Sequence, residues 1–444
     1  MIAVLAPAII LLQYYLTVRH LQQRRYPELF GVVLFAMVSY DWVFIHASYL
    51  LPRTFVGFLK PYFEYLTAFL AFMVLRRSPG LTIFNTQARQ FLLLLFPALI
   101  VILLNDLTPG RRLPDLLQSL RLFLLPILFL FLLFRYGAFR AVRPAFVVNS
   151  LIWVSVLVAL AGSIQKLGYK GDVRDLWFFD YFKTWFPHPV LAGKANYVRN
   201  DSLRVTGIFV SPITQTIALG IGVVLLAARQ IFEPMTLRKR AWGLFLMVAL
   251  VYGQWQTSTR VGLIMDALGI AVLLGSRLLP RLRGWLYLIP VAAVGATFAS
   301  LLSGGVKEES ALGRLVQFAD LPQFFRVRGL GFSHPMVATY FDSYLITLVL
   351  LFGGLIIFPF LFFWKINRPV VQLLKACPRS VLLNATLALC SSFLYLFTFQ
   401  FIAGSWPYRV YFLLLFYCWF AYEQYRQAKV CPAAADGSVP TNDF

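Results

Sequence analysis

The sequence is divided into apolar runs of about 15–23 residues by short connections rich in arginine and lysine. A run of that length matches a helix crossing a hydrocarbon layer about 30 Å thick. Within such a layer the backbone has no water to bond, so each run must satisfy its own N–H and C=O groups as a helix. Thirteen runs are discernible, at 2–18, 29–51, 55–75, 91–105, 116–134, 144–163, 205–227, 241–256, 261–276, 285–302, 343–364, 380–401 and 409–423. Only 13% of the residues are charged, against about a quarter in soluble domains. The pattern predicts an all-α polytopic membrane protein of about thirteen spans (12–14), with residues 1–429 forming one transmembrane domain. Residues 430–444 are small and polar and read as a disordered cytoplasmic tail. The first run, Ile2–Val18, has no basic stretch before it and no A-x-A site after it, and reads as a retained span.

Where the basic residues sit gives the orientation. Alternate short connections carry Arg19, Arg24 and Arg25; Arg76, Arg77 and Arg89; Arg135, Arg140 and Arg143; Arg229 and Arg238–Arg240; Arg277, Arg281 and Arg283; and Lys365, Arg368, Lys375 and Arg379. By the positive-inside rule these face the cytoplasm, which puts the N-terminus outside and the C-terminus inside. The formal net charge of +22 is therefore topogenic and lipid-facing. It is not the clustered soluble face of a nucleic-acid reader. The four cysteines form neither a CxxC nor a Cys/His ligand spacing, and no metal or cofactor is expected.

Two long outer loops, at about 164–204 and 303–342, are also basic, against the topogenic trend. In the first, Asp172, Asp175, Asp180 and Asp201 offset the cations, so solvation and anion binding are equally good readings. In the second, fewer acids accompany Lys307, Arg314, Arg326 and Arg328, which favours an anionic ligand. Ionisable residues inside spans are costly and tend to face a cavity. Asp41, Lys60, Glu64, Arg121 and Asp266 fall inside runs, most of them in the outer half. Lys60 and Glu64 have the i,i+4 spacing of a local pair, and Lys60 or Arg121 alone is explained by snorkelling. Together these residues suggest a polar cavity that opens outward.

Three segments are candidates for chemistry: Arg204–Pro212, Thr257–Gly262, and Gly313–Leu345 with its Arg-Val-Arg-Gly-Leu-Gly-Phe-Ser-His core. Arginine grips phosphate in a planar, bidentate manner and keeps its charge, so Arg204, Arg260, Arg314, Arg326 and Arg328 are candidate ligands for a polyanion. Gly329 and Gly331 would let a loop backbone approach such a ligand closely. Asp342 suits either a general base acting on a sugar hydroxyl or a helix N-cap. His334 is a candidate acid–base residue by virtue of its near-neutral pKa, with a hydrogen-bonded loop role as the simpler reading. No Walker loop, HExxH or GxSxG motif occurs.

These segments resemble the O-antigen polymerase and O-antigen ligase superfamily, in which an R-x-x-G-x-F-x-x-P-type segment opens a central span. A Ser-x-Arg-Gly-like turn and an outer loop ending in G-x-G and a His/Asp-Asn/Ser-x-Tyr-Leu follow. Here these are Arg204–Pro212, Ser258–Gly262, Gly329–Gly331 and Asp342–Leu345, within about residues 200–355. The resemblance implies a GT-C-like glycosyltransferase in a bacterial inner membrane with its site facing the periplasm. It also implies metal-independent transfer from a glycan on undecaprenyl pyrophosphate, with arginines such as Arg204, Arg260 and Arg328 on the pyrophosphate and Tyr344 in support. A chain-length regulator and a flippase would be its pathway partners. Ligase-type members carry His-Asn where this chain has Asp342-Ser343, which favours a polymerase over a ligase. A transporter or flippase of the same lipid-linked glycan is the rival, but no internal repeat is visible to support it.

Overall fold

The computed structural model describes residues 2–50, 60–76, 86–107, 113–169, 176–179, 197–199, 202–303, 309–334, 343–400 and 402–430. The 431–444 part of the predicted tail lies outside them. The elements are α1 (Ile2–Gln22), α2 (Tyr26–Val38), α3 (Tyr40–Ser48), α4 (Tyr62–Arg76), α5 (Thr86–Val101), α6 (Leu113–Phe123), α7 (Leu125–Arg135) and α8 (Pro144–Gly168). They continue with α9 (Pro212–Phe232), α10 (Leu237–Gln256), α11 (Arg260–Leu278), α12 (Leu288–Leu302) and α13 (Glu309–Phe324), then α14 (Tyr344–Phe352), α15 (Ile357–Ala376), α16 (Val381–Phe399) and α17 (Trp406–Val430). A π-helical turn (Ile102–Asp106) extends α5, and the described residues contain one pair of two-residue strands, Val198–Arg199 with Ser202–Leu203.

Among the described residues, seven helical stretches are long and apolar enough to cross a membrane, or up to nine if each of two bent pairs counts as one span. The other four predicted runs fall on α1, α4, α10 and α17, which are not among those stretches, so the structure supports seven to nine spans and not the full thirteen. Two expectations change. The second long loop contains α13. The connection expected on the inner side around Lys365 and Arg368 is helical, because α15 continues past Pro369 to Ala376. The connection at 257–260 is a genuine tight turn, reversed by Ser258 at φ +49°.

α9 and α16 form the centre, with 78% and 89% of their apolar windows buried against 17% for Pro280–Ser300 at the rim. α9 packs on α8, α10, α11 and α16. Without a hydrophobic drive between helices in lipid, small residues and hydroxyls carry such contacts. Ser155 on α8 donates to the Ala218 carbonyl on α9 at 2.8 Å, and Gly222 leaves room for its Cβ.

Both bent pairs have a local cause. The α2/α3 bend, 59°, falls at Ser39, whose hydroxyl donates back to the Phe35 carbonyl at 2.7 Å, a contact that bends helices. The α6/α7 bend, 48°, falls at Leu124, two residues before Pro126; proline supplies no N–H and crowds the preceding turn.

At the other end of the bundle, buried Arg283 replaces an ion pair with carbonyls. It donates to Ser276 O and Oγ (3.3 and 3.0 Å), Leu374 O (2.8 Å) and Pro378 O (3.2 Å), joining the ends of α11 and α15. Arg283→Ala is expected to cost about 3 kcal/mol, read as a lower unfolding temperature of the detergent-purified protein. Arg283→Lys should recover only part, because an ammonium cannot span the same fork.

Candidate functional site

The two helix breaks face one another across a cavity of about 270 Å³. Tyr40 and Asp41 line it from the first break, and Arg121 and Leu122 from the second. Lys60, Phe209, Val210, Thr214 and Arg409 also contribute to its wall. Three of the five intramembrane charges noted in the sequence, Asp41, Lys60 and Arg121, thus converge. Arg409 is the addition that sequence reasoning missed. At the start of the last apolar run it looked like an ordinary boundary residue.

The expected Lys60–Glu64 pair does not form. Glu64 instead accepts from Arg409 at 3.0 Å, with both side chains 4% exposed. The Arg409 guanidinium also lies over the Phe63 and Tyr40 rings, 4.3 and 5.1 Å from their centroids. Arg121 donates to the Tyr40 hydroxyl and the Lys60 carbonyl, both at 2.9 Å, and the Tyr40 hydroxyl donates to that same carbonyl. Among the described residues the cluster thus gathers three basic and two acidic side chains.

The first two predicted segments meet. Arg204 donates to Thr257 O (3.4 Å) and Thr259 Oγ1 (3.1 Å) in the turn between α10 and α11, and its N–H donates to Tyr197 O at 2.7 Å. Burial pushes the Tyr197 hydroxyl up to about 12 despite the neighbouring Arg204 charge. Arg260 is exposed at the first position of α11. The Gln165 side-chain oxygen then holds the Thr206 and Gly207 N–H groups, each at 2.8 Å. Val210 N–H donates to Asp41 Oδ2 at 3.3 Å. The Arg204–Pro212 segment therefore runs from the arginine turn to the cavity wall.

The third segment is anchored elsewhere. Buried Asp106, in the π-helical turn, accepts Phe332 N–H at 2.9 Å, and Ser333 N–H and O–H at 2.7 and 2.6 Å. Gly331, at φ +90°, leaves no room for a side chain, since a Cβ would meet Asp106 Oδ1 at 2.7 Å. At Gly329, φ +77°, a Cβ would come closer still to the Leu351 carbonyl oxygen. The close approach expected of these glycines is thus made to the protein's own helices, for which their left-handed backbone is required. Arg326 and Arg328 are exposed and do not line the cavity. Arg326 donates to the Gln323 and Phe325 carbonyls at the end of α13, and the Arg328 carbonyl accepts from Asn105 at 3.0 Å. His334 is partly buried, with its N–H directed to Gly331 O at 3.4 Å. Arg314 lies on α13 with its side chain outside the described set, and Asp342 lies outside the described residues.

The capping role considered for Asp342 belongs to Ser343, whose Oγ accepts Ile346 N–H at 3.2 Å. Tyr344 is buried, its hydroxyl 3.0 Å from that of Tyr408, which donates to the Phe123 carbonyl at 2.8 Å. It thereby braces the α6/α7 break two residues from Arg121. Among the described residues no three His, Cys, Asp or Glu side chains gather as a metal site would require.

Compared with protein-family models, curated proteins and solved structures, the chain matches none of them.

Asp106→Ala would leave two buried N–H groups without acceptors. It is expected to cost about 2–4 kcal/mol and to expose the Phe332–Ser333 turn to rapid amide exchange. Gly331→Ala should behave alike, and Gly295→Ala, in open space on α12, should be neutral.

Proposed function

We propose that this chain is a polysaccharide polymerase of the inner membrane, joining oligosaccharide repeat units carried on undecaprenyl pyrophosphate at the periplasmic face. The observation that carries the proposal is the meeting of Lys60, Arg121 and Arg409 around one cavity at two helix breaks. Such an arrangement suits a multiply charged anion whose apolar tail stays in lipid. The segment with the family resemblance supports it, because Arg204–Pro212 contributes Phe209 and Val210 to the same wall.

In this reading the cavity cations hold the pyrophosphate, while Arg204 and Arg260 lie at the outer turn along its path. The acceptor hydroxyl attacks the anomeric carbon, the bond from that carbon to the phosphate oxygen breaks, and lipid pyrophosphate departs with the electron pair. Fixed cations aimed at the departing oxygens stabilise the charge as it develops. Thirteen spans, an outward N-terminus and a GT-C-like arrangement belong to this proposal, as do a chain-length regulator and a flippase as partners. Transfer to the lipid A core by a ligase uses the same donor chemistry and differs only in the acceptor.

The helix breaks favour a second reading. Discontinuous helices flanking a charged site are a feature of transporters, so a carrier of the same lipid-linked glycan would use the same cations.

Polysaccharide from cells lacking the chain separates these readings. A product cut to single repeat units supports the polymerase, and long lipid-linked chains absent from the lipid A core support a ligase. Loss of every repeat unit from the outer face supports the carrier. In complemented cells, Arg121→Ala is expected to reduce polymer by about 100-fold or more. Arg326→Ala, remote from the cavity, should leave polymer length near wild type.

A further inference from the structure

The cavity contains a carboxylate that simple anion binding does not call for. Among the described residues Asp41 is the one acid on its wall. The other buried acids are elsewhere: Glu64 holds Arg409, Asp106 is filled by three donors, and Asp266 lies against Gly220 of α9. Asp41 Oδ2 accepts the Val210 N–H at 3.3 Å, one bond for a group with about four acceptor positions. The groups whose charges act on it are tied to other partners. Arg121 is bound to Tyr40 and the Lys60 carbonyl, and Arg409 is bound to Glu64.

A ligand consisting only of phosphate would be repelled by this carboxylate. A ligand that presents an anion to Lys60, Arg121 and Arg409, and a hydroxyl a few ångströms away, would satisfy both sets of groups. A phosphate-linked sugar with an acceptor sugar beside it has that chemistry. Asp41 is also rigidly placed, in the first turn of α3 directly after the Ser39 break.

We propose that Asp41 is the catalytic base, receiving the proton of the acceptor sugar hydroxyl as that oxygen bonds to the anomeric carbon. This rests on the glycosyl-transfer reading above and gives Asp41 the role the sequence offered to Asp342 or His334. The balance is closed. The O–H proton goes to Asp41, a C–O bond forms to the acceptor, a C–O bond to phosphate breaks, and the pyrophosphate carries away the electron pair. Asp41 returns its proton to water once the product has left.

The test uses the full chain in two measurements: polymer made by complemented cells, and the thermal shift of purified protein with undecaprenyl pyrophosphate. Asp41→Asn keeps the size of the side chain and its acceptor for Val210 N–H. It is expected to lose about 100-fold or more of polymer formation while keeping or enlarging the thermal shift, since a negative charge beside the pyrophosphate is gone. Asp41→Glu should restore part of the polymer. Polymer within about threefold of wild type in Asp41→Asn would overturn the assignment and leave the polymerase reading standing, because a base contributes far more. Loss of the thermal shift together with polymer would also overturn it, making Asp41 part of binding or folding. No thermal shift in the wild-type protein, with unchanged polysaccharide in cells lacking the chain, would remove the underlying reading itself.

Discussion

The Lys60 carbonyl is the tie on which the site depends. It accepts the Tyr40 hydroxyl and the Arg121 guanidinium together, filling both lone pairs of one backbone oxygen. Tyr40 stands at the break between α2 and α3, Arg121 just before the break between α6 and α7, and Lys60 at the entry to α4. One acceptor therefore joins three elements that would otherwise leave polar groups open in an apolar surrounding, where each costs several kcal/mol. The Glu64–Arg409 pair adds α17 to the same cluster.

Buried pairs of this type are weak evidence for stability, since a well-packed apolar substitute often does as well. The presence of one here, beside a second arginine bound to a hydroxyl and a carbonyl at broken helices around a cavity, is better explained by what the cavity receives. A cavity wall that brings together three cations and, among the described residues, one carboxylate with spare acceptor capacity is adapted to a ligand with an anionic part and a hydroxylated part. The surrounding structure keeps this geometry stiff. Tyr344 and Tyr408 support the second break from behind, and Asp41 receives a hydrogen bond from the segment that begins at Arg204.

Much of the cluster was legible from single residues. Asp41, Lys60 and Arg121 interrupt apolar runs, and the cost of such interruptions already argued for a cavity. Arg204 and the Thr257–Thr259 turn were marked by local chemistry and do meet. Other partners were invisible because they depend on contacts between distant parts of the chain. Spacing offered Lys60 as the neighbour of Glu64, yet the partner lies 345 residues away. Gly329 and Gly331 were recognised as points of close approach, but what they approach is Asp106 and Leu351. Asp106 itself carried no signal, standing at the end of an apolar run like any interfacial acid.

Hydrophobic length by itself determined that this chain forms a bundle of apolar helices, several of them long and apolar enough to cross a membrane, and roughly where those begin. That information is local, because every helix satisfies its backbone within its own segment and its register against the bilayer follows from composition. Which charges would share a cavity, which arginine would neutralise Glu64 and which carboxylate would stand on the cavity wall were decided only by tertiary structure. Those outcomes depend on the bends at Ser39 and Leu124 and on how α4, α6 and α17 pack around them, and a low-dielectric interior enforces pairing between whichever groups the packing brings together.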